Sequence, residues 1–208
     1  MIEILTCEQG SPDWFAARLG LPTASEFSTV MAKGEGKTRR AYMLKLAGEI
    51  LTGEPMESYT NFNMERGKVM EDEARELYSF IKNVEPERVG FIRSGQKGCS
   101  PDSLIGATGG LEIKTALPHI QIDRLMKDEL PAEHKAQVQG SMWVAERDTW
   151  DFVSYWPKLP LFIKPVARDN GYIANLAGEV DRFNDELQKV VETIKSYGKQ
   201  PVNILAAG

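Results

Sequence analysis

Apolar residues recur along this chain in two rhythms, one of three or four residues and one of two, and their order lays out the elements. Ser11-Pro12-Asp13 joins a capping hydroxyl, a proline suited to the first helical turn and an acid beside the helix dipole. A short helix carrying Trp14 and Arg18 is predicted there, stopped at Gly20. A second start follows at Thr23-Ala24-Ser25, with Ser25 as the capping residue, and Tyr42, Leu46 and Ile50 predict a helix over 38–52 closed by Gly53. Met70, Ala74, Leu77, Tyr78 and Ile81 fall at the spacing of one buried face, predicting a longer helix over 62–81 with Glu71 beside that face. After Pro86 short apolar runs take over, at 89–92, 103–105 and 111–114, with Gly109-Gly110 read as the turn between the last two, a small antiparallel meander. A helix carrying Ala136, Val138, Met142 and Trp143, strands near 149–155 and 161–166, and an amphipathic helix over 173–197 complete the order. The class is α/β, a twisted central sheet flanked by helices, with no internal repeat.

At 208 residues, 42% hydrophobic and 26% charged, the chain suits one domain over 1–208 with a sizeable core and excludes a disordered or fibrous class. Pro157 and Pro160 interrupt the longest apolar runs well short of the roughly 20 residues of a membrane helix, so no membrane span is expected. The acidic N-terminus lacks a leader pattern and the only cysteines are Cys7 and Cys99, which leads us to expect a reduced, cytoplasmic protein. A net charge of −5 argues against a protein whose main work is coating duplex nucleic acid. The charge is uneven, however. Between Lys33 and Lys45, Lys33, Lys37, Arg39, Arg40 and Lys45 face Glu35 alone, whereas Glu179, Asp181, Asp185, Glu186 and Glu192 crowd the last helix. The basic stretch begins in a glycine-bearing loop and is the natural place to touch phosphates.

The candidate chemistry sits in the predicted hairpin. Pro101-Asp102 precedes its first strand, and Leu111-Glu112-Ile113-Lys114 forms the return. Strand alternation puts Glu112 and Lys114 on one face and Ile113 toward the core, and folding back brings Asp102 to that face. Two carboxylates and a lysine there make a hard-oxygen site suited to magnesium, to which the Ile113 carbonyl could add a ligand. The ammonium could orient a water and stabilise charge at phosphorus, the logic of metal-dependent phosphodiester hydrolysis. A turn aspartate and a solvated strand edge would give the same letters. Pro-Asp occurs twice and acid-x-Lys three times, but only this occurrence sets the acid and lysine inside an apolar strand.

Four blocks occur together in order: Trp14-x-x-x-Arg18-x-Gly20 with Thr23-Ala24-Ser25; Gly67-Lys68-x-x-Glu71 with Ala74 and Tyr78; Ser100-Pro101-Asp102 through Lys114; and Ala136-Gln137-Val138-Gln139 through Met142-Trp143. Together they resemble the phage lambda exonuclease family, or YqaJ-like viral recombinases, of the PD-(D/E)xK nuclease superfamily. The resemblance implies a restriction-endonuclease-like core, a central mixed β-sheet flanked by α-helices. It implies Asp102 and Glu112 as magnesium ligands with the Ile113 carbonyl, Lys114 as the water-activating lysine, Glu71 as the acid near a second metal, and Gln139 as the glutamine contacting the site. Arg18, Ser25 and Ser100 match the residues that bind the 5′-phosphate of the DNA end. Two magnesium ions, with manganese able to substitute, a homotrimeric ring on double-stranded DNA ends, a single-strand annealing partner and a phage or prophage origin in the bacterial cytoplasm complete what the family implies. Two departures stand out: Ser103 where glycine is usual, and Thr115-Ala116 where Cys-Pro is usual.

The expected activity is magnesium-dependent 5′-to-3′ digestion of linear duplex DNA, leaving 3′ overhangs for recombination. An endonuclease of the same superfamily and a non-catalytic DNA-binding relative are the alternatives. Trp14 is expected to serve packing. His119 and His134 are expected to be structural or surface residues, since neither has a zinc-spaced partner.

Overall fold

The first helix begins where its capping residues put it. In α1 (Pro12–Arg18) the Trp14 N–H donates to Ser11 Oγ at 3.3 Å. Before it lies β1 (Ile2–Leu5), a strand the sequence pattern did not single out. A 3-10 turn over Ala24–Glu26 leads into α2 (Phe27–Val30). Its capping position is Thr23, and Ser25 sits inside the turn, its hydroxyl 3.2 Å from that of Thr23, which corrects the capping role expected of Ser25. Next, α3 (Lys37–Thr52) ends at Gly53 with φ +72, a left-handed residue for which glycine is favoured. The structure, a computed structural model, describes residues 1–32, 36–56 and 62–198, with backbone alone over 62–68. Lys33, Gly34 and Glu35 of the basic loop lie outside the described residues, as does the side chain of Lys68.

The long helix α4 (Phe62–Lys82) buries Met70, Ala74 and Tyr78. Leu77 and Ile81, expected on the same face, are 41% and 56% exposed. The buried stripe of the helix runs through Met70, Ala74, Arg75 and Tyr78, so Leu77 and Ile81 join Val69 and Phe80 in an exposed apolar strip.

Two sheets follow. The strands β2 (Phe91–Ser94) and β3 (Gly98–Cys99) extend β1 into a three-stranded antiparallel sheet in the order β1-β2-β3. The second sheet is mixed, in the order β4 (Ser103–Ile105), β5 (Gly109–Thr115), β6 (Thr149–Tyr155), β7 (Phe162–Ala167), with β5 and β6 parallel and the outer pairs antiparallel. The expected three-strand meander is thereby corrected, since β2 belongs to the other sheet. A parallel neighbour needs a crossover, supplied by α5 (Pro118–Lys127) and α6 (Ala132–Ala145). Gly109 and Gly110 are also not the turn; they open β5, and the bend contains Gly106 at φ +54. Gly110 is bare because the Trp150 ring lies 2.2 Å from where its Cβ would stand.

The terminal helix α7 (Asn170–Ser196) closes the larger core with Leu176, Val180, Phe183 and Leu187, among Phe27, Leu46, Met142 and Trp150. A smaller core gathers Met70, Ala74 and Tyr78 of α4 against Leu111 and Ile113 of β5 and Val153 of β6. Alternation along β5 then sends Glu112 and Lys114 to the opposite face, toward α6.

Candidate active site

The antiparallel register Ser103↔Leu111, carried one residue outward, sets Asp102 across from Glu112. Asp102 Oδ2 accepts the Ile113 N–H at 2.5 Å, which pins the turn carboxylate to the strand bearing Glu112 and Lys114. Lys114 Nζ lies 2.6 Å from Glu112 Oε1, and the same oxygen accepts from Gln137 Nε2 at 2.5 Å. Glu112 is 2% exposed, and its other oxygen, Oε2, is buried with no hydrogen-bond partner. Such an atom carries a desolvation penalty that a cation would remove.

Burial raises the Asp102 carboxyl well above the usual carboxylate range, and repulsion from Glu112 and Glu71 adds to it, against the pull of Lys114 and the Ile113 N–H. Burial likewise raises Glu112, opposed mainly by Lys114. For Lys114 burial works to release the proton, but attraction to Glu112 and Asp102 outweighs it, and the group is raised above an ordinary lysine. Lys114 is therefore a firm cation that donates. A buried and a half-buried acid awaiting positive charge, with one oxygen unpartnered, fit a hard divalent ion. Among the described residues no three Asp, Glu, His or Cys side chains lie close enough to hold an ion by themselves, so a main-chain donor such as the Ile113 carbonyl would have to complete the set. Glu71, the helix acid, is near enough to repel both carboxylates, but its Oε1 is held at 2.5 Å by Arg75 Nη2.

The residues matched to the phosphate pocket also come together. Arg18 lies over the Trp14 ring, its Cζ 4.2 Å from the centroid, and Nη2 reaches Thr23 Oγ1 at 3.5 Å, which in turn neighbours Ser25. The Trp14 indole N–H donates to Ser100 Oγ at 2.9 Å and to the Gly90 carbonyl at 3.1 Å. One chain of contacts thus links Arg18 through Trp14 to Ser100, two residues before Asp102. Trp14, expected only to pack, is the middle of that chain. A cavity of about 410 Å³ opens on Asp102, with Glu71, Arg75 and Arg88 in its wall. Of the basic segment, Arg39 is spent on structure: its guanidinium pairs with both oxygens of Glu186 and lies over Phe183.

A family model for the YqaJ-like viral recombinase domain matches residues 13–148. The chain belongs to that family. An alkaline exonuclease from Laribacter hongkongensis, LHK-Exo, is 34% identical and shares the fold with a TM-score of 0.81 over 89% of this chain and 96% of its own. The same protein in complex with dAMP gives 0.82 over the same shares. A phage-related exonuclease from Haemophilus somnus 129PT, 14% identical, shares the fold at 0.64 over 84% of this chain and 96% of its own. The core of this YqaJ-like chain is the PD-(D/E)xK nuclease fold.

Within this YqaJ-like domain the placement of one expected residue is corrected. Gln139 does not reach the carboxylates: its Nε2 donates to the Ala167 carbonyl and its Oε1 accepts the Asp169 N–H, both 2.8–2.9 Å, tying α6 to the end of β7. Gln137 is the glutamine at the site. Two residues along a helix turn through about 200°, so the two amides face opposite ways. Gln137, Arg75 and Trp14 are the site residues that sequence reasoning missed. For Gln137 the available signal was its own place in Ala136-Gln137-Val138-Gln139, which offers two amides without saying which faces β5.

Proposed function

We propose that this YqaJ-family nuclease is a magnesium-dependent 5′-to-3′ exonuclease that digests linear double-stranded DNA and leaves 3′ overhangs for single-strand annealing. That it is a nuclease of the lambda exonuclease type follows from its family. The observation that carries the finer reading is the run of contacts from Arg18 through Trp14 to Ser100, two residues before Asp102, which sets the groups matched to the phosphate pocket beside one buried and one half-buried carboxylate. A terminal phosphate held at Arg18, Ser25 and Ser100 would present the adjacent phosphodiester to Asp102 and Glu112.

Asp102, Glu112 and the Ile113 carbonyl would hold magnesium, with Glu71 beside a second ion, and the metal when bound supplies Lewis acidity toward the scissile phosphate. Lys114, charged and anchored on Glu112, orients the attacking water and stabilises the negative charge gathering on the phosphoryl oxygens. Gln137 and Lys114 both occupy Glu112 Oε1, which leaves Oε2 for the cation. The dAMP bound by the Laribacter relative is the kind of mononucleotide such an enzyme releases.

A homotrimeric ring, an annealing partner and a cytoplasmic setting belong to the same proposal; the exposed strip of Val69, Leu77, Phe80 and Ile81 supports assembly through α4. No helix among the described residues is long and apolar enough to cross a membrane.

The test is digestion of 5′-phosphorylated linear duplex and of covalently closed circular DNA, each with and without magnesium. The expected result is mononucleotide release from the linear duplex in magnesium only. Cutting of the closed circle would favour the endonuclease reading, and no cutting of either would favour a non-catalytic DNA-binding protein.

A further inference from the structure

Arg75 is 6% exposed, and the hydrolysis described above gives it no part. Its guanidinium is committed on three sides. Nε donates to Ser103 Oγ at 3.1 Å, Nη1 to Asp72 Oδ1 at 2.6 Å, and Nη2 to Glu71 Oε1 at 2.5 Å and to the Asp102 carbonyl at 3.3 Å. Ser103, itself fully buried, donates to that same carbonyl. One side chain of α4 thus grips the acid a turn before it on the helix and, across the gap to β4, the main chain of the aspartate at the centre of the site. A planar fork can do this, and a single ammonium cannot.

We propose that Arg75 is a positioning residue for cation binding, with Ser103 as its buried partner. It fixes Glu71 relative to the Asp102 main chain and balances the charge of Glu71 beside two carboxylates that already repel one another. Cation affinity then depends on this fork even though Arg75 has no lone pair to offer an ion. A residue that merely glued α4 to β4 would affect folding without affecting cation affinity in the folded protein.

The inference rests on the metal-dependent reading of the site, and the experiment separates the two. Manganese binding to the full-length protein is measured by calorimetry or paramagnetic resonance for the wild type, Arg75→Lys and Ser103→Ala. Thermal midpoints, the magnesium dependence of cleavage and KM for DNA ends are measured alongside. Arg75→Lys is expected to weaken manganese binding roughly 10–100-fold, as loss of groups that orient metal ligands does elsewhere, and to raise the magnesium needed for half-maximal cleavage to match, with KM for DNA unchanged. Ser103→Ala, which deletes one contact of the fork, is expected to move the same quantities in the same direction by a smaller factor. A folded Arg75→Lys protein with wild-type manganese affinity overturns the proposal. Should that variant fail to fold, Ser103→Ala decides, and unchanged affinity there overturns it. A wild type that binds no manganese overturns both this inference and the reading beneath it.

Discussion

Exchanging each α6 glutamine for alanine should separate catalysis from stability. Gln137 is half-buried, and its amide donates to a carboxylate; hydrogen bonds to charged groups contribute about 1.5–3 kcal/mol, so Gln137→Ala is expected to slow turnover roughly 10- to 100-fold. Its stability should fall by no more than about 1–2 kcal/mol, because Glu112 keeps Lys114 and a raised carboxyl can take up a proton in place of the lost bond. Gln139 is 2% exposed and satisfies two main-chain groups, the Ala167 carbonyl and the Asp169 N–H. Removing it orphans both, at about 1–3 kcal/mol each discounted for relaxation and water entry, or roughly 2–4 kcal/mol in all. At about 2–4 °C per kcal/mol for a chain of this size, Gln139→Ala should lower Tm by roughly 5–15 °C. Its activity per folded molecule should stay near that of the wild type. The assay is single-turnover digestion of 5′-phosphorylated duplex at a temperature where both variants are folded, paired with calorimetric Tm. A catalytic defect in Gln139→Ala with a normal Tm, beside an unimpaired Gln137→Ala, would refute the geometry on which the site is built.

Lys114→Ala should lose at least about a hundredfold in turnover while still binding manganese and DNA, because the ammonium acts on water and developing charge; near-normal turnover would sink that role. Arg18→Ala should abolish the preference for 5′-phosphoryl over 5′-hydroxyl ends, measured as the ratio of digestion rates, and an unchanged ratio would remove Arg18 from the pocket. Burial, with Lys114 and Arg124 nearby, lowers the His134 imidazole to about 4, so the folded state resists a proton that the unfolded chain takes up near 6.5. The stability that His134 contributes is thus complete above about pH 6.5 and is lost as pH falls toward 4. Full burial would make this about 3 kcal/mol, and partial exposure reduces it to roughly 1–2 kcal/mol. Denaturation across that window should show the wild type losing roughly 1–2 kcal/mol more stability than His134→Phe as the pH falls from about 6.5 to 4; equal losses would contradict it.

Much of this protein follows from local physics that the sequence carries. Ser11-Pro12-Asp13 dictates α1, Gly53 closes α3, and Leu111-Glu112-Ile113-Lys114 reads as a strand that must place its acid and lysine on one face, because side chains on a strand alternate. Asp102 beside Glu112 was legible for the same reason, as a short connection leaves few ways to fold back. What needed the tertiary structure is whatever depends on a partner distant in sequence. The helix α5 leaves no apolar signature in the sequence because its buried residues are Gln121 and Arg124, which anchor on Ser154 of β6. α6 is buried on nearly all sides, with Ala136, Val138, Gly140, Met142 and Val144 all inside, so periodicity cannot say which glutamine faces β5. The glycine pair reads as a turn in the sequence because glycine serves turns and close packing alike, and only the Trp150 ring, forty residues on, distinguishes the two. The fork of Arg75 belongs to the same class. A helix shows that it can reach Glu71 at i−4, but its grip on Ser103 and Asp102 exists only once α4 lies against β4.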